Sequence, residues 1–317
     1  MGCANIARRS VIPALLAMKE EYELVAVASR TEEKASAVAA EFNTDPVTGY
    51  ENLLNRDDID AIYMPLPTGL HEEWITRTLQ AGKHVLAEKS LAMDGRSASR
   101  LVALARAKGL LLMENFMFRY HRQHQWVWQQ LADKTIGDIR LFRSQFGFPP
   151  LDKDNFRYDA QAGGGSLLDA AAYTVKASQW FLGMNLKVTA ATLYIDAARQ
   201  VDIYGNASLL SDSGVVAQVS FGFDCFYQCN YEFWGNKGRI LATKAFTPRS
   251  DERPFMLLER PGENQKIEME ADNHFIGILR EFHKSVVCKE HDIHLDETLS
   301  QSNLLSGIRE LAIKIEL

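Results

Sequence analysis

The chain has 317 residues, 46% of them hydrophobic and 24% charged, enough for about two domains that each bury their own core and unlike any disordered, fibrous or disulfide-stapled class. Thirty-five Lys and Arg against 41 Asp and Glu give a net charge of -6, spread without long single-sign runs, so no footprint for nucleic acid or anionic lipid is present. No apolar run reaches the roughly 18 residues of a spanning helix, and the N-terminus lacks signal-peptide order; a cytoplasmic protein acting on a small molecule is expected.

From Ala4 to about Leu112 short apolar runs alternate with helical stretches, the pattern of a parallel sheet with crossover helices. The runs are Leu24 to Ala28, Ala61 to Met64, His84 to Ala87 and Leu110 to Met113. Between them helical stretches are predicted at Ala7 to Met18, Glu32 to Phe42, His71 to Ala81 and Gly95 to Ala107, with a short turn at Tyr50 to Leu54. From Asp138 to Met269 the period becomes two, with strands predicted at Ile139 to Phe146, Leu186 to Ile195, Ala207 to Leu210, Val215 to Phe221, Tyr227 to Trp234, Arg239 to Ala242 and Phe255 to Glu259. A helix from Gly163 to Leu182 and two more near Asn273 to Cys288 and Asp296 to Ile315 complete the second part. The expected fold is α/β: a Rossmann-type doubly wound sheet over residues 1–118, then an α+β domain with an open antiparallel sheet over 119–317.

Gly2-Cys3-Ala4-Asn5-Ile6-Ala7 fits G-x-G-x-x-A with alanine at the second glycine, a tight strand-to-helix turn that brings main chain against a pyrophosphate. Only Met1 precedes it, so the first strand of the sheet is missing, and the sequence is expected to begin after the natural start. The next run ends in Ser29-Arg30, where an acidic residue would accept bonds from a ribose 2′-hydroxyl. A hydroxyl and a guanidinium suit a 2′-phosphate instead, which favours NADP over NAD. Leu66 and Pro67 after the third run offer an apolar wall, and Lys89 after the fourth puts an ammonium beside a reacting carbonyl.

In Gly163-Gly164-Gly165-Ser166-Leu167-Leu168-Asp169-Ala170-Ala171-Ala172-Tyr173, Asp169 and Tyr173 are spaced i, i+4 on one helix face, beside glycines that leave room for a ligand. Tyr173 is a candidate proton donor, its phenol helped by a nearby ammonium, and equally a buried tyrosine satisfied by Asp169. Arg157 and Tyr158 are candidates for a substrate phosphate, or for bonds within their own loop. The four cysteines have no C-x-x-C spacing, and neither His121-x-x-His124 nor His291-x-x-His294 has zincin spacing, so no metal is expected.

With GCANIA, VASR, YMPLPTGLH, AEKS, ENFMFRYH and GGGSLLDAAAY in this order, the chain resembles the Gfo/Idh/MocA oxidoreductases. The likeness is greatest to the NADPH-dependent C-3 ketoreductases of nucleotide-deoxysugar biosynthesis, through FGFPPL, FRYD, VDIYGNASLL and YEFWGNKGRI. The resemblance implies that Lys89 contacts nicotinamide ribose and substrate oxygen, that Tyr173 is the catalytic acid, and that Asp169 binds substrate. It also implies that Tyr50, Leu66, His71 and Glu88 line the cofactor cleft, and that the chain forms a homodimer or homotetramer through its open sheet face. Ser90 stands where the family has proline. Reduction of a sugar or nucleotide-sugar ketone is the expected activity. Sugar or trans-dihydrodiol oxidation by the same family and NADP sensing without chemistry are the alternatives, the last disfavoured because sensing needs neither Lys89 nor Tyr173.

Overall fold

The computed structural model describes residues 1–317. Two compact units result, one formed by residues 1–117 with 275–299, the other by 118–274 with 300–317. The chain therefore returns to its first unit near the C-terminus, which a single cut after residue 118 does not capture. Among the contacts that hold the returning segment there, the Tyr22 hydroxyl donates to the Leu279 carbonyl (2.6 Å), and Arg106 pairs with Asp292 and Asp296.

In the first unit a π-helical turn at Ala7–Val11 continues into α1 (Ile12–Leu16), and β1 (Ala26–Ser29), α2 (Glu32–Phe42), β2 (Asp45–Thr48), α3 (Tyr50–Leu54), β3 (Ala61–Met64), α4 (His71–Gln80), β4 (His84–Ala87), α5 (Gly95–Lys108) and β5 (Leu112–Glu114) follow. Local chemistry sets the boundaries. Asp94 caps α5 by accepting from the Ser97 amide, and Gly109 ends it in the left-handed region at φ 64°. All strand pairs are parallel, but there are two sheets, β1-β2 and β3-β4-β5. β2 was not expected; Pro46 and a mostly exposed pattern conceal it as an edge strand.

No strand joins β1 to β3. The Asp45 and Gly49 amides bond to the Val25 and Ser29 carbonyls, and the His84 and Glu88 amides to those of Asp60 and Met64. By alternation, Ala26 and Ala28 of β1 and Ala61 and Tyr63 of β3 turn their main-chain groups into the gap between the sheets. Met1 and Gly2 span its upper end: the Met1 ammonium donates to the Tyr63 carbonyl and the Gly2 amide to that of Ala28, both at 2.8 Å. Below them lies a cavity of about 760 Å³ lined by residues of both strands, Ile12, Leu53, Leu279 and Phe282.

The second unit contains α6 (Arg122–Ala132), β6 (Ile139–Gly147), a π-helical turn at Leu167–Ala171 leading into α7 (Ala172–Leu182), and β7 (Leu186–Asp196), β8 (Val201–Ser211), β9 (Val216–Gly222), β10 (Gln228–Gly235), β11 (Arg239–Ala242), β12 (Phe255–Arg260) and β13 (Glu263–Glu268). After α8 (His274–Cys288) and α9 (Asp292–Leu311), β14 (Ile313–Glu316) closes a nine-stranded sheet of order β13-β12-β11-β10-β6-β9-β8-β7-β14. This sheet is mixed rather than wholly antiparallel, since β6 with β9 and β14 with β7 run parallel. The expected last helix stops at Leu311, and the Ile-Lys-Ile-Glu that follows adds an edge strand. Along β6 and β10, Phe142, Ser144, Phe146, Tyr231 and Phe233 turn inward, whereas Arg143, Gln145 and Trp234 face out. α7 is buried on nearly every side, as a helix held against the inner face of a sheet must be.

Candidate active site

In the first unit Ser29 and Arg30, Leu66 and Pro67, and Glu88 and Lys89 lie at or just after the carboxyl ends of β1, β3 and β4, where open α/β sheets bind ligands, while Gly2 to Ile6 precede the π-helical turn at Ala7–Val11. Gly2 holds φ at 92°, and a Cβ there would come within 2.9 Å of Leu66 Cδ2. Glycine is therefore required by the backbone and by the neighbouring turn together. The half-buried Cys3 points its thiol at the carbonyls of Ala28 and Lys34, each 3.8 Å away, and burial pushes its pKa up. Ala4 is half-buried, Asn5 exposed and Ile6 half-buried where the helix begins. Ser29 is buried and Arg30 exposed. Arg30 is near enough to Tyr50 for its charge to oppose the rise that burial causes in the Tyr50 phenol. Tyr50 packs edge-on against Trp74 at 5.0 Å.

The turns after β3 and β4 are tied together by His71. Its Nε2 is 2.8 Å from the Leu66 carbonyl, and its Nδ1 lies 3.1 and 3.0 Å from those of Ser90 and Leu91. Burial pulls its pKa down. With main chain at both ring nitrogens, His71 links the two turns, a contact its sequence position does not reveal. Pro67 precedes a short turn at Thr68–Leu70. The Glu88 carboxylate accepts from the Tyr63 hydroxyl (2.7 Å) and the Asn115 amide (2.6 Å). Burial raises its pKa, opposed by those two bonds and by the charge of Lys89. Lys89 is half-buried next to it, and the Lys89–Ser90 peptide is cis.

In the second unit Tyr173 begins the α7 stretch in an aromatic bed. It is 6% exposed, with ring centroids of Phe146, Phe246 and Phe118 at 5.1, 5.7 and 6.1 Å. Asp169, one turn earlier, accepts from Arg157 Nε at 2.7 Å, so two residues expected at the substrate separately form one ion pair. The Tyr158 hydroxyl accepts from the Leu151 amide at 3.0 Å, which commits it to its own loop. Gly164 and Gly165 do not open space for a ligand. A Cβ at Gly164 would meet the Arg157 carbonyl at 2.4 Å, and one at Gly165 would meet Asp202 Oδ1 at 2.5 Å; these glycines admit close contact with the chain itself. Asp202 was missed because it lies in a stretch of β8 not recognised as strand, between a buried Val and a buried Ile.

Three of the four histidines in the two pairs make hydrogen bonds within the protein. His124 meets the Tyr231 hydroxyl (2.6 Å) and the Ala245 carbonyl (3.0 Å), while His121 accepts from the Gln123 amide. His294 Nε2 is 2.8 Å from the Ser285 hydroxyl.

Paired Rossmann-type turns in one unit, and a buried acid-tyrosine helix against an open sheet in the other, define a dinucleotide-dependent oxidoreductase architecture. Residues 1–116 match "Oxidoreductase family, NAD-binding Rossmann fold" and residues 124–241 match "GFO/IDH/MocA C-terminal domain". The chain belongs to the Gfo/Idh/MocA oxidoreductase family. It is 43% identical over 310 residues, 98% of this chain and 93% of the relative, to dTDP-3,4-didehydro-2,6-dideoxy-alpha-D-glucose 3-reductase of Actinomadura kijaniata. It is 37% identical over 248 residues, 78% of this chain and 75% of the relative, to D-xylose 1-dehydrogenase (NADP(+)) 2 of Haloferax volcanii. Among solved structures, KijD10, a 3-ketoreductase from Actinomadura kijaniata in complex with NADP and TDP-benzene, superposes with a TM-score of 0.96 at 42% identity, covering 100% of this chain and 97% of that one. KijD10 has also been solved with a tyrosine replaced by phenylalanine and with a lysine replaced by alanine. No helix is long and apolar enough to cross a membrane.

Proposed function

We propose that the protein is an NADPH-dependent ketoreductase acting on the C-3 carbonyl of a nucleotide-linked deoxysugar. The observation that carries this reading is its near full-length identity to a reductase of that kind, 43% over 98% of the chain. The tyrosine and the lysine replaced in KijD10 are separated by the same number of residues as Tyr173 and Lys89 here.

The first unit fits the cofactor. Gly2 at positive φ keeps the turn open to main-chain approach, Ser29 and the exposed Arg30 suit a 2′-phosphate, and Leu66 and Pro67 present an apolar surface for the nicotinamide. When bound, NADPH supplies the hydride. Tyr173 gives its phenolic proton to the carbonyl oxygen, so that ketone, hydride and proton together yield the alcohol. Lys89 stabilises negative charge developing on that oxygen, and Asp169 with Arg157 orients the sugar. The outward sheet face, where Trp234 is 52% exposed beneath Arg143 (5.7 Å), serves as the surface through which copies of the chain pair.

The test is to follow NADPH consumption with a dTDP-linked 3-keto deoxysugar, and NADP⁺ reduction with D-xylose and a trans-dihydrodiol. Turnover of the keto sugar well above the other two is expected. Turnover confined to D-xylose or the diol would replace this reading with a dehydrogenase, and no cofactor consumption with any of them would leave a binding protein.

A further inference from the structure

Asp202 is the second residue of β8, opposite Ile195 of β7, and is only 8% exposed. Its Oδ2 accepts from the Ser166 hydroxyl at 2.7 Å and from the Leu167 amide at 2.5 Å. Its Oδ1 occupies the space a Cβ would fill at Gly165, whose φ of 106° already excludes most side chains. The carboxylate thus seats three consecutive residues, Gly165 to Leu167, where the chain turns into the helix that carries Asp169 and Tyr173. Gly165 leads on to the site. The Gly165 amide donates to the Arg157 carbonyl (2.9 Å), its carbonyl accepts from the Asp169 amide (3.3 Å), and the Arg157 side chain returns to Asp169.

An anion at a helix start interacts favourably with the unpaired amides there. Burial nevertheless opposes the charge and raises the Asp202 pKa, against the two hydrogen bonds and the positive charge of Arg309. A neutral apolar residue of similar size would relieve that burial, but it would not fix the helix start at one depth and rotation. Each residue of a helix is turned by a fixed step from the one before, so a slip at Leu167 re-aims both Asp169 and Tyr173.

We propose that Asp202 is the positioning residue of this site, setting through Gly165 to Leu167 the depth and rotation at which the helix presents Asp169 and Tyr173. The inference rests on the reading of Tyr173 as proton donor. Misplacement by about 1 Å of a reacting group can cost on the order of a hundredfold in rate.

The experiment compares Asp202→Asn, Ser166→Ala, Tyr173→Phe and the double variant Asp202→Asn/Tyr173→Phe. It measures kcat, KM for the keto sugar, NADPH affinity and thermal melting of each. Asp202→Asn should lower kcat roughly 10- to 100-fold with NADPH affinity unchanged, and in the Tyr173→Phe background the loss should be several-fold smaller, because only the aim of Asp169 is then left to disturb and groups that act together are not additive. Ser166→Ala, which removes one of the two bonds and keeps the fold, should lower kcat about three- to tenfold. Equal fold-losses in both backgrounds, or wild-type kcat for a folded Asp202→Asn or Ser166→Ala, would overturn the inference while leaving Tyr173 as donor. Wild-type turnover in Tyr173→Phe alone would instead overturn the donor reading, and this inference with it.

Discussion

In the first unit the candidate groups are carried on turns that main chain fixes: His71 ties the turn at Leu66 to the one at Ser90 and Leu91, and the Met1 and Gly2 nitrogens reach across two separate sheets. In the second, Tyr173 lies in a bed of rings on a continuous nine-stranded sheet, and a buried carboxylate sets the start of its helix. The turns of the first unit are thus held by individual hydrogen bonds, whereas Tyr173 is held by side-chain packing.

The largest effect that separates the two units is expected from Phe233→Ala. Phe233 is fully buried against Phe142 (4.9 Å) and Phe181 (5.0 Å), and its truncation should cost about 3–5 kcal/mol. Calorimetry should show the second unit melting earlier while NADPH binding persists; simultaneous loss of NADPH binding would mean that the units do not act separately. Next comes Gly2→Val, which forces a side chain into positive φ and against Leu66. Strain of roughly 1–3 kcal/mol should weaken NADPH binding at least fivefold with melting of the second unit unchanged, measured by fluorescence titration.

A smaller effect is expected from acid. His121, His124 and His274 are buried in the second unit, and burial holds each below the usual imidazole value, His274 at about 3. The unfolded chain binds their protons near pH 6.5 and the folded chain does not. Their contribution to stability is therefore complete above about pH 6.5 and is lost as pH falls below it, by at most about 1.4 kcal/mol per pH unit for each ring. Melting at pH 7.5 and 5.5 should show that loss, and His274→Gln should flatten it.

The βα rhythm of the first part was legible because buried parallel strands are short apolar runs, so β3, β4 and α2 fell where periodicity put them, while the expected turn at Tyr50 to Leu54 is the short helix α3. β2 was hidden by Pro46, and β13 by a mostly exposed stretch, Glu263 to Glu268, with no inward face to mark it. Lys89, Tyr173 and Asp169 were visible as chemical residue types at strand and helix ends. The pairing of Asp169 with Arg157, the bridging by His71 and the place of Asp202 were not, because each depends on chain segments brought together only by folding.

The central claim is that the first unit holds the cofactor while the phenol of Tyr173 delivers the proton. It is tested most directly by stopped-flow measurement of NADPH oxidation in wild type and Tyr173→Phe, with NADPH affinity measured alongside and Lys89→Ala as the counterpart. The account predicts that Tyr173→Phe slows oxidation by about 10²- to 10⁴-fold with NADPH affinity unchanged, whereas Lys89→Ala impairs both. Oxidation by Tyr173→Phe at the wild-type rate would contradict it.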